Sequence, residues 1–274
     1  MKNTLRVGAF LLLFSIASFA QSEQCADVSE QAHVSAVYPT ADTLPENLLR
    51  FYIYFDQPMS TEDTLSNIYL KTNGGERLEG VFLDNKFSLW SPDRTRLTLL
   101  FDPGRVKTGL VAHNALGRAL KTGLTYRLVV DVGAMKQLNC SAVYIKEFSV
   151  EEANYDKPMI TNWRINQPKY GTRQPLTIGF ERPIDHTSLA FRIRVRNSNN
   201  ETVSGSIDLG SHEKKWIFVP ELNWAKDQTY ALFIDPILED IVGNRITGLF
   251  DQPSLIEDSI NKDKNIEVGI AFTN

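Results

Sequence analysis

Cysteine is nearly absent: Cys25 and Cys140 are the only two in 274 residues. His33, His113, His186 and His212 are dispersed along the chain, and no Cys/His group has ligand spacing, so neither a metal site nor a cofactor is expected. A basic excess is also missing, with 29 Lys and Arg against 33 Asp and Glu; a nucleic-acid binder would carry a basic stripe or patch. After the first twenty residues no run is apolar over the roughly 20 residues that cross a bilayer, so no transmembrane anchor is expected in the mature chain. No Gly-x-Ser-x-Gly motif is present. The stretch Gly104-Arg105-Val106-Lys107-Thr108-Gly109 is followed by Leu110, so it lacks the Gly-x4-Gly-Lys-Ser/Thr spacing of a phosphate loop, and no helix is expected there. With no catalytic constellation the expectation is a protein that is not an enzyme.

What is present begins with MKNTLRVGAFLLLFSIASFA, in which Lys2 and Arg6 precede an apolar run and small residues Ser18 and Ala20 close it. This pattern reads as a secretory signal peptide over residues 1–20, and residues 21–32 as a leader segment. Removing the signal takes away two bases and no acids, so the mature charge is 27 − 33 = −6. The expected location is the periplasm or the secreted fraction. An oxidising compartment permits one disulfide, Cys25 with Cys140; the alternative is two unpaired thiols.

Short runs with period-two alternation follow, rich in β-branched and aromatic residues: VSAVY (34–38), LRFYIYF (49–55), IYLK (68–71), LEGVFL (78–83), RLTLLF (96–101), TYRLVVDV (125–132) and AVYIKEFSV (142–150). DTLSN (63–67) is at most one helical turn. Past Pro158 the pattern restarts with ITNWRI (160–165), PLTIGF (175–180), FRIRV (191–195), TVSGSIDL (202–209), KWIFV (215–219), TYALFI (229–234) and IEVGIAF (266–272). Short strands separated by turn residues predict an all-β chain of two antiparallel sandwiches, at 33–157 and 158–274. The first carries an inserted basic loop at 104–124, and the second an acidic polar insertion at 251–265.

Two stretches repeat. YFDQPMS (54–60) and GFERPID (179–185) each end a strand in Phe, an acid, one residue, Pro and an aliphatic. Proline donates no ladder hydrogen bond and belongs at a strand end, leaving Met59 or Ile184 free to turn inward as a plug. Tyr126 and Tyr230 stand after Gly123-Leu-Thr and Asp227-Gln-Thr, a context that resembles the tyrosine corner of Ig-like sandwiches. Trp163, Trp216 and Trp224 are expected in a core or between modules. The acid-x-Pro segment, the later Phe-x-Pro strand end, the Tyr-containing strand and Asp240-Ile241-Val242-Gly243-Asn244 together resemble the bacterial Ig-like module of surface-layer proteins, in tandem. GAMKQLNC (133–140) stands where the first half would carry Asp-x-x-Gly-Asn. The chain is also similar to exported bacterial proteins of two such modules without assigned activity, a resemblance that implies fold and module number and supplies no catalytic residues.

Candidate binding residues are Arg105, Lys107 and Arg118, in an insertion that the second module lacks. Loops on a rigid scaffold commonly carry binding residues, and these three could meet an envelope protein or an anionic polymer; the alternative is a loop folded back over the sandwich by Val106, Leu110, Val111 and Leu116. Asp240 and Asn244 fit a turn that bonds its own backbone better than a calcium site. The expected function is a non-enzymatic exported Ig-like protein with a binding or structural role. The alternative is an accessory or enzymatic protein acting on envelope glycan, with the 104–124 insertion as one wall of a cleft.

Overall fold

The computed structural model describes residues 32–62, 64–83, 89–136, 142–251 and 265–273, the side chains of 111–113 excepted. The signal peptide, Cys25, Cys140 and most of the 251–265 insertion lie outside the described residues.

The first module is built from β1 (Val34–Tyr38), β2 (Thr43–Pro45), β3 (Arg50–Phe55), β4 (Ile68–Thr72), β5 (Arg77–Leu78), β6 (Arg96–Leu100), β7 (Thr125–Asp131) and β8 (Val143–Glu151). Four short helices accompany them: α1 (Thr64–Asn67), α2 (Pro103–Val106), α3 (Val111–Leu116) and α4 (Val132–Met135). One sheet has the order β1-β3-β6 and the other β2-β8-β7-β4-β5. Alternation decides which face is dry. In β6, Leu97 and Leu99 point inward, and in β8, Phe148 and Val150 do, while their neighbours face outward. Phe51, Phe101, Phe148 and Tyr126 fill the centre, each large ring contributing about 1.5–3 kcal/mol by leaving water.

The second module contains β9 (Arg164–Ile165), β10 (Leu176–Gly179), β11 (Ile193–Asn197), β12 (Gly205–Leu209), β13 (Lys215–Pro220), β14 (Tyr230–Ile234) and β15 (Ile266–Gly269), with α5 (His186–Phe191). Its sheets run β12-β13-β10-β9 and β11-β14-β15. Labelled in chain order, these are strands D-E-B-A against C-F-G, the arrangement of an Ig-like sandwich. The first module follows the same plan, with β1 as A, β3 as B and β6 as E. Its pairings are antiparallel except where β2 leaves the first sheet and joins β8 in parallel; an all-antiparallel expectation misses this crossing of the leading strand. The single parallel bridge Lys169–Thr273 is its counterpart in the second module.

The repeated stretches occupy equivalent places. Met59 and Ile184 are buried plugs in their respective cores. The plug N–H donates to the carbonyl of Arg94 in one case and of Glu213 in the other, at 3.1 Å in both. Arg94 and Glu213 each sit two residues before strand E with positive φ, 58° and 52°. Phe55 and Phe180, just before the acids, donate to Thr95 and Lys214. Both tyrosine corners are present: the Tyr126 hydroxyl accepts from the Lys121 N–H at 3.2 Å, and that of Tyr230 from Ala225 at 2.9 Å.

Three local expectations need correction. The 104–116 stretch, expected to lack helix, forms α2 and α3, because Asp102 caps Gly104 N–H at 2.7 Å and Pro103 takes the first helical position. LEGVFL yields only the short β5 and an isolated bridge at Phe82. Phe191 ends α5 rather than beginning a strand, since Asp185 caps Ser188 N–H at 2.9 Å and starts a helical turn after the repeated motif.

Tyr126→Phe and Tyr230→Phe are each expected to destabilise the protein by about 1 kcal/mol, because each leaves one backbone N–H without its acceptor. Urea unfolding of the single variants measures this; an unchanged midpoint in both would remove the corners from the fold's stabilising interactions.

Candidate functional site

Arg105, Lys107 and Arg118 lie at the root of the insertion rather than at its tip. Arg105 donates from Nε to the Gly117 carbonyl at 2.9 Å, closing the base of the α2–α3 loop. Arg118 is more heavily engaged. Its guanidinium meets Glu46 at 3.2 Å and Asp251 at 3.8 Å, and it donates to the Val106 carbonyl and the Tyr155 hydroxyl, each at 2.8 Å. The Lys107 ammonium stands 5.4 Å from the centre of the Phe250 ring. Thr108 adds a backbone N–H and a hydroxyl to the Asp251 carboxylate. The insertion therefore reaches the second module and the connecting segment. Val106 is buried, while Leu110 and Leu116 are exposed.

These contacts border a larger junction. The outward face of the β1-β3-β6 sheet presents Tyr38, Arg50, Tyr52, Tyr54 and Arg96, and α5 of the second module packs on it. The His186 ring stacks on Tyr38 with centroids 3.5 Å apart and meets Tyr54 edge-on at 5.6 Å. The Tyr52 hydroxyl donates to Asp185 at 2.9 Å. Arg50 forms an ion pair with Glu239, which also meets Arg245 at 3.4 Å.

A second group of contacts centres on Glu213. His212 and Glu213 are consecutive left-handed residues, a conformation that non-glycine residues adopt at a cost of order 1 kcal/mol. It aims the Glu213 carboxylate across the junction, where it accepts from Thr40 N–H at 3.0 Å and Thr40 hydroxyl at 2.8 Å. Thr40 Oγ1 in turn accepts from His212 N–H at 3.0 Å. Lys146, buried on the inward face of β8, donates to the Thr40 and Ala41 carbonyls at 3.2 and 3.1 Å.

The third group surrounds the Asp240–Asn244 turn. Asp240 Oδ1 accepts from Val242 and Asn244 N–H at 3.0 and 2.8 Å, and Oδ2 accepts from Asn154 Nδ2 at 3.0 Å. Asn154 also exchanges a pair of 2.9 Å bonds with Asn47, and Asn244 Nδ2 reaches back to the Asn154 carbonyl at 3.2 Å. Gly243 has φ 84°, a conformation strained for other residues, and a Cβ there would also press on Leu49 Cδ2 at 2.8 Å. Ile241 and Val242 consequently pack in the first module's hydrophobic core, and Leu49 N–H donates to the Ile241 carbonyl at 3.1 Å.

Burial leaves its mark on the charges. It pushes the Asp185 and Glu213 carboxyls upward and Lys146 downward. Burial also pushes Asp240 up to about 7, against the N–H donors that favour its ionised form. His186 is lowered to about 4, first by burial and then by the Arg96 charge. Its Nδ1 has no hydrogen-bond partner, so a second ring proton gains nothing there. Each of the three acids spends its oxygens on donors from the other module or from its own turn, an arrangement that fastens two sandwiches.

Asp240 and Asn244 form the turn that their spacing indicates. His186, Glu213, Thr40 and Lys146 are junction residues that no sequence motif marks. The one available signal was a lysine at an inward position of an otherwise apolar strand, AVYIKEFSV.

No family model and no curated protein matches this chain. Among solved structures, the crystal structure of Rst D1-D2 aligns over 89% of this chain and all of its own, at 6% identity and a TM-score of 0.25. A chimeric titin Z1Z2 functionalised with a KLER peptide from decorin aligns over 70% of this chain and 83% of its own, at 10% identity and 0.22. The pullulanase SAP of group B Streptococcus aligns over 89% of this chain and 27% of its own, at 10% identity and 0.22. Likenesses of this strength carry no argument about function. Strand order and the paired tyrosine corners are what define two Ig-like sandwich modules, and the surface-layer type suggested by the sequence motifs goes beyond that definition.

Asn154→Ala is expected to cost about 1–3 kcal/mol, since Asp240 loses its only side-chain donor from the connecting segment within a buried site; chemical denaturation checks it. His186 supplies a pH test. Its folded pKa lies below the ordinary value of about 6.5, so its contribution is complete above that pH and is lost as the pH falls toward about 4. The stability difference between the wild type and His186→Gln should rise with pH across that window and level off above it. The neighbouring acids are common to both proteins and largely cancel in the difference. Urea melts from pH 4.5 to 7.5 read it, and a difference independent of pH would refute the assignment.

Proposed function

We propose that this is a non-enzymatic exported protein whose two Ig-like modules act as one rigid binding or structural unit in the periplasm or at the cell surface. The observation that carries the reading is the junction. Two modules joined only by a flexible connection would leave the Thr40–Glu213, Tyr52–Asp185 and Asn154–Asp240 contacts to water, whereas here they are made, with the three acids buried. Fixed geometry suits a protein that holds surfaces at a set spacing. Export rests on the amino-terminal pattern of residues 1–20.

The engagement of Arg105 and Arg118 by carbonyls, acids and Tyr155 favours a fastening role for the insertion root and leaves binding to other parts of the surface. Asp240, a buried acid with a raised pKa, supports structure rather than proton transfer, because both its oxygens are committed to its turn and to Asn154.

Two measurements on the mature protein test the proposal. Residual dipolar couplings from both modules are expected to fit one alignment tensor, and incubation with envelope polysaccharide fragments is expected to release no product. Independent tensors for the two modules, or hydrolytic turnover, would overturn it.

A further inference from the structure

Beside the junction, the connecting segment and the second module enclose a groove of about 420 Å³, within the roughly 300–1,000 Å³ of small-ligand sites. We infer that this groove is a binding site for a neutral sugar ring of a polysaccharide, with Trp163 as the platform and Arg182, Asp156, Asn162 and Glu181 as hydrogen-bonding groups. The inference deepens the binding reading above and rests on it.

A sugar ring has one face of C–H groups and an edge of hydroxyls, so its site needs an aromatic surface bordered by fixed donors and acceptors. Trp163 meets Phe180 edge-on, with centroids 5.0 Å apart and planes at 89°, so a buried ring sets its orientation. The polar groups are held in pairs before any ligand arrives: Asn162 Nδ2 donates to Glu181 at 3.0 Å, and Arg182 meets Asp156 at 2.9 Å. Each pair keeps unused donor and acceptor positions, since a guanidinium has five N–H groups and a carboxylate about four lone-pair sites. Such groups form strong charge-assisted bonds to hydroxyls.

Other ligand classes fit less well. Asp156, Glu181 and Asp240 stand against Lys157 and Arg182 in the lining, so an anion meets acids as well as bases. A lipid chain would leave these charges unsolvated. The apolar rim is accessible, with Met159 50% and Tyr155 45% exposed. Tyr155 is held by the 2.8 Å bond from Arg118, which makes Arg118 a positioning residue for the rim rather than a ligand contact.

Titration calorimetry of the full mature protein with chitotetraose, cellotetraose and maltotetraose tests the site, with tetragalacturonate as the charged control. Saturable binding of at least one neutral tetramer is expected, weakened tenfold or more by Arg182→Ala and by Trp163→Ala. Arg182 is exposed, so its variant keeps the fold and protects the test should Trp163→Ala prove unstable. Three results would each overturn the inference: no saturable binding of any neutral tetramer, binding undiminished in Arg182→Ala, or binding confined to tetragalacturonate. A single alignment tensor with no glycan binding would remove the sugar site and leave the two-module reading standing.

Discussion

A carboxylate taken out of water costs several kcal/mol unless donors replace its hydration, and Glu213, with 1% of its surface exposed, is one of three acids under this constraint. It belongs to the second module, yet the hydrogen bonds that satisfy its side chain come from Thr40 of the first. Much else follows from satisfying it. The left-handed backbone at His212 and Glu213 aims the carboxylate, and Lys146 places a positive charge on the far side of Thr40. The Asp185 and Asp240 carboxylates face similar demands nearby and meet them in similar ways, with Tyr52 and Asn154 as donors. Among the described residues, the buried polar and charged groups Asn47, Lys146, Asn154, Asp185, Ser188, Glu213, Asp240 and Asn244 gather at or beside this junction. Breaking such a contact by removing one partner is more destabilising than the contact is favourable, so the arrangement specifies one relative placement of the modules more strongly than it adds net stability.

The tandem is one architecture used twice and then made unequal. The plug, the left-handed residue before strand E and the tyrosine corner recur at corresponding places in both sandwiches. In the first module the left-handed residue is Arg94 in an exposed turn; in the second it is Glu213, buried by its neighbour. The segment after the plug is the single turn α1 in one module, while in the other it becomes α5, whose first residue His186 stacks on Tyr38. The divergence between the repeats is therefore concentrated where they touch. The insertion of the first module joins the same region through Arg118, Thr108 and Lys107, and its leucines Leu110, Leu116 and Leu124 are exposed.

Alternation and turn chemistry are local properties, and the sequence displayed them directly. The strands, the repeated Pro ends, the inward Met59 and Ile184, the tyrosine corners and the Asp240 turn could all be read from residue order, because each depends on neighbours within a few positions or on a face of period two. The short helices α2 and α5 were missed although their capping residues Asp102 and Asp185 stand in plain order; four to six residues are too few for a helical period to show. The junction and the groove were not legible at all. Tyr38 and His186 are 148 positions apart, and Thr40 and Glu213 are 173 apart, and nothing in either segment alone indicates the other. Basic residues clustered in an insertion look alike on paper whether they face solvent or close a loop, and burial of Arg118 against Glu46, Asp251 and Tyr155 is a fact of three dimensions.

The sequence by itself thus determined the class of the chain, two β-sandwiches with Ig-like turns and corners, since hydrophobic period and turn residues act over short distances. Only the tertiary structure decided that the Asp240–Asn244 turn sends Ile241 and Val242 into the other module's core, and that Glu213, Asp185 and Lys146 are buried. Desolvation is a property of a surroundings assembled from distant segments; the same glutamate is an ordinary turn residue until a second module excludes the water around it.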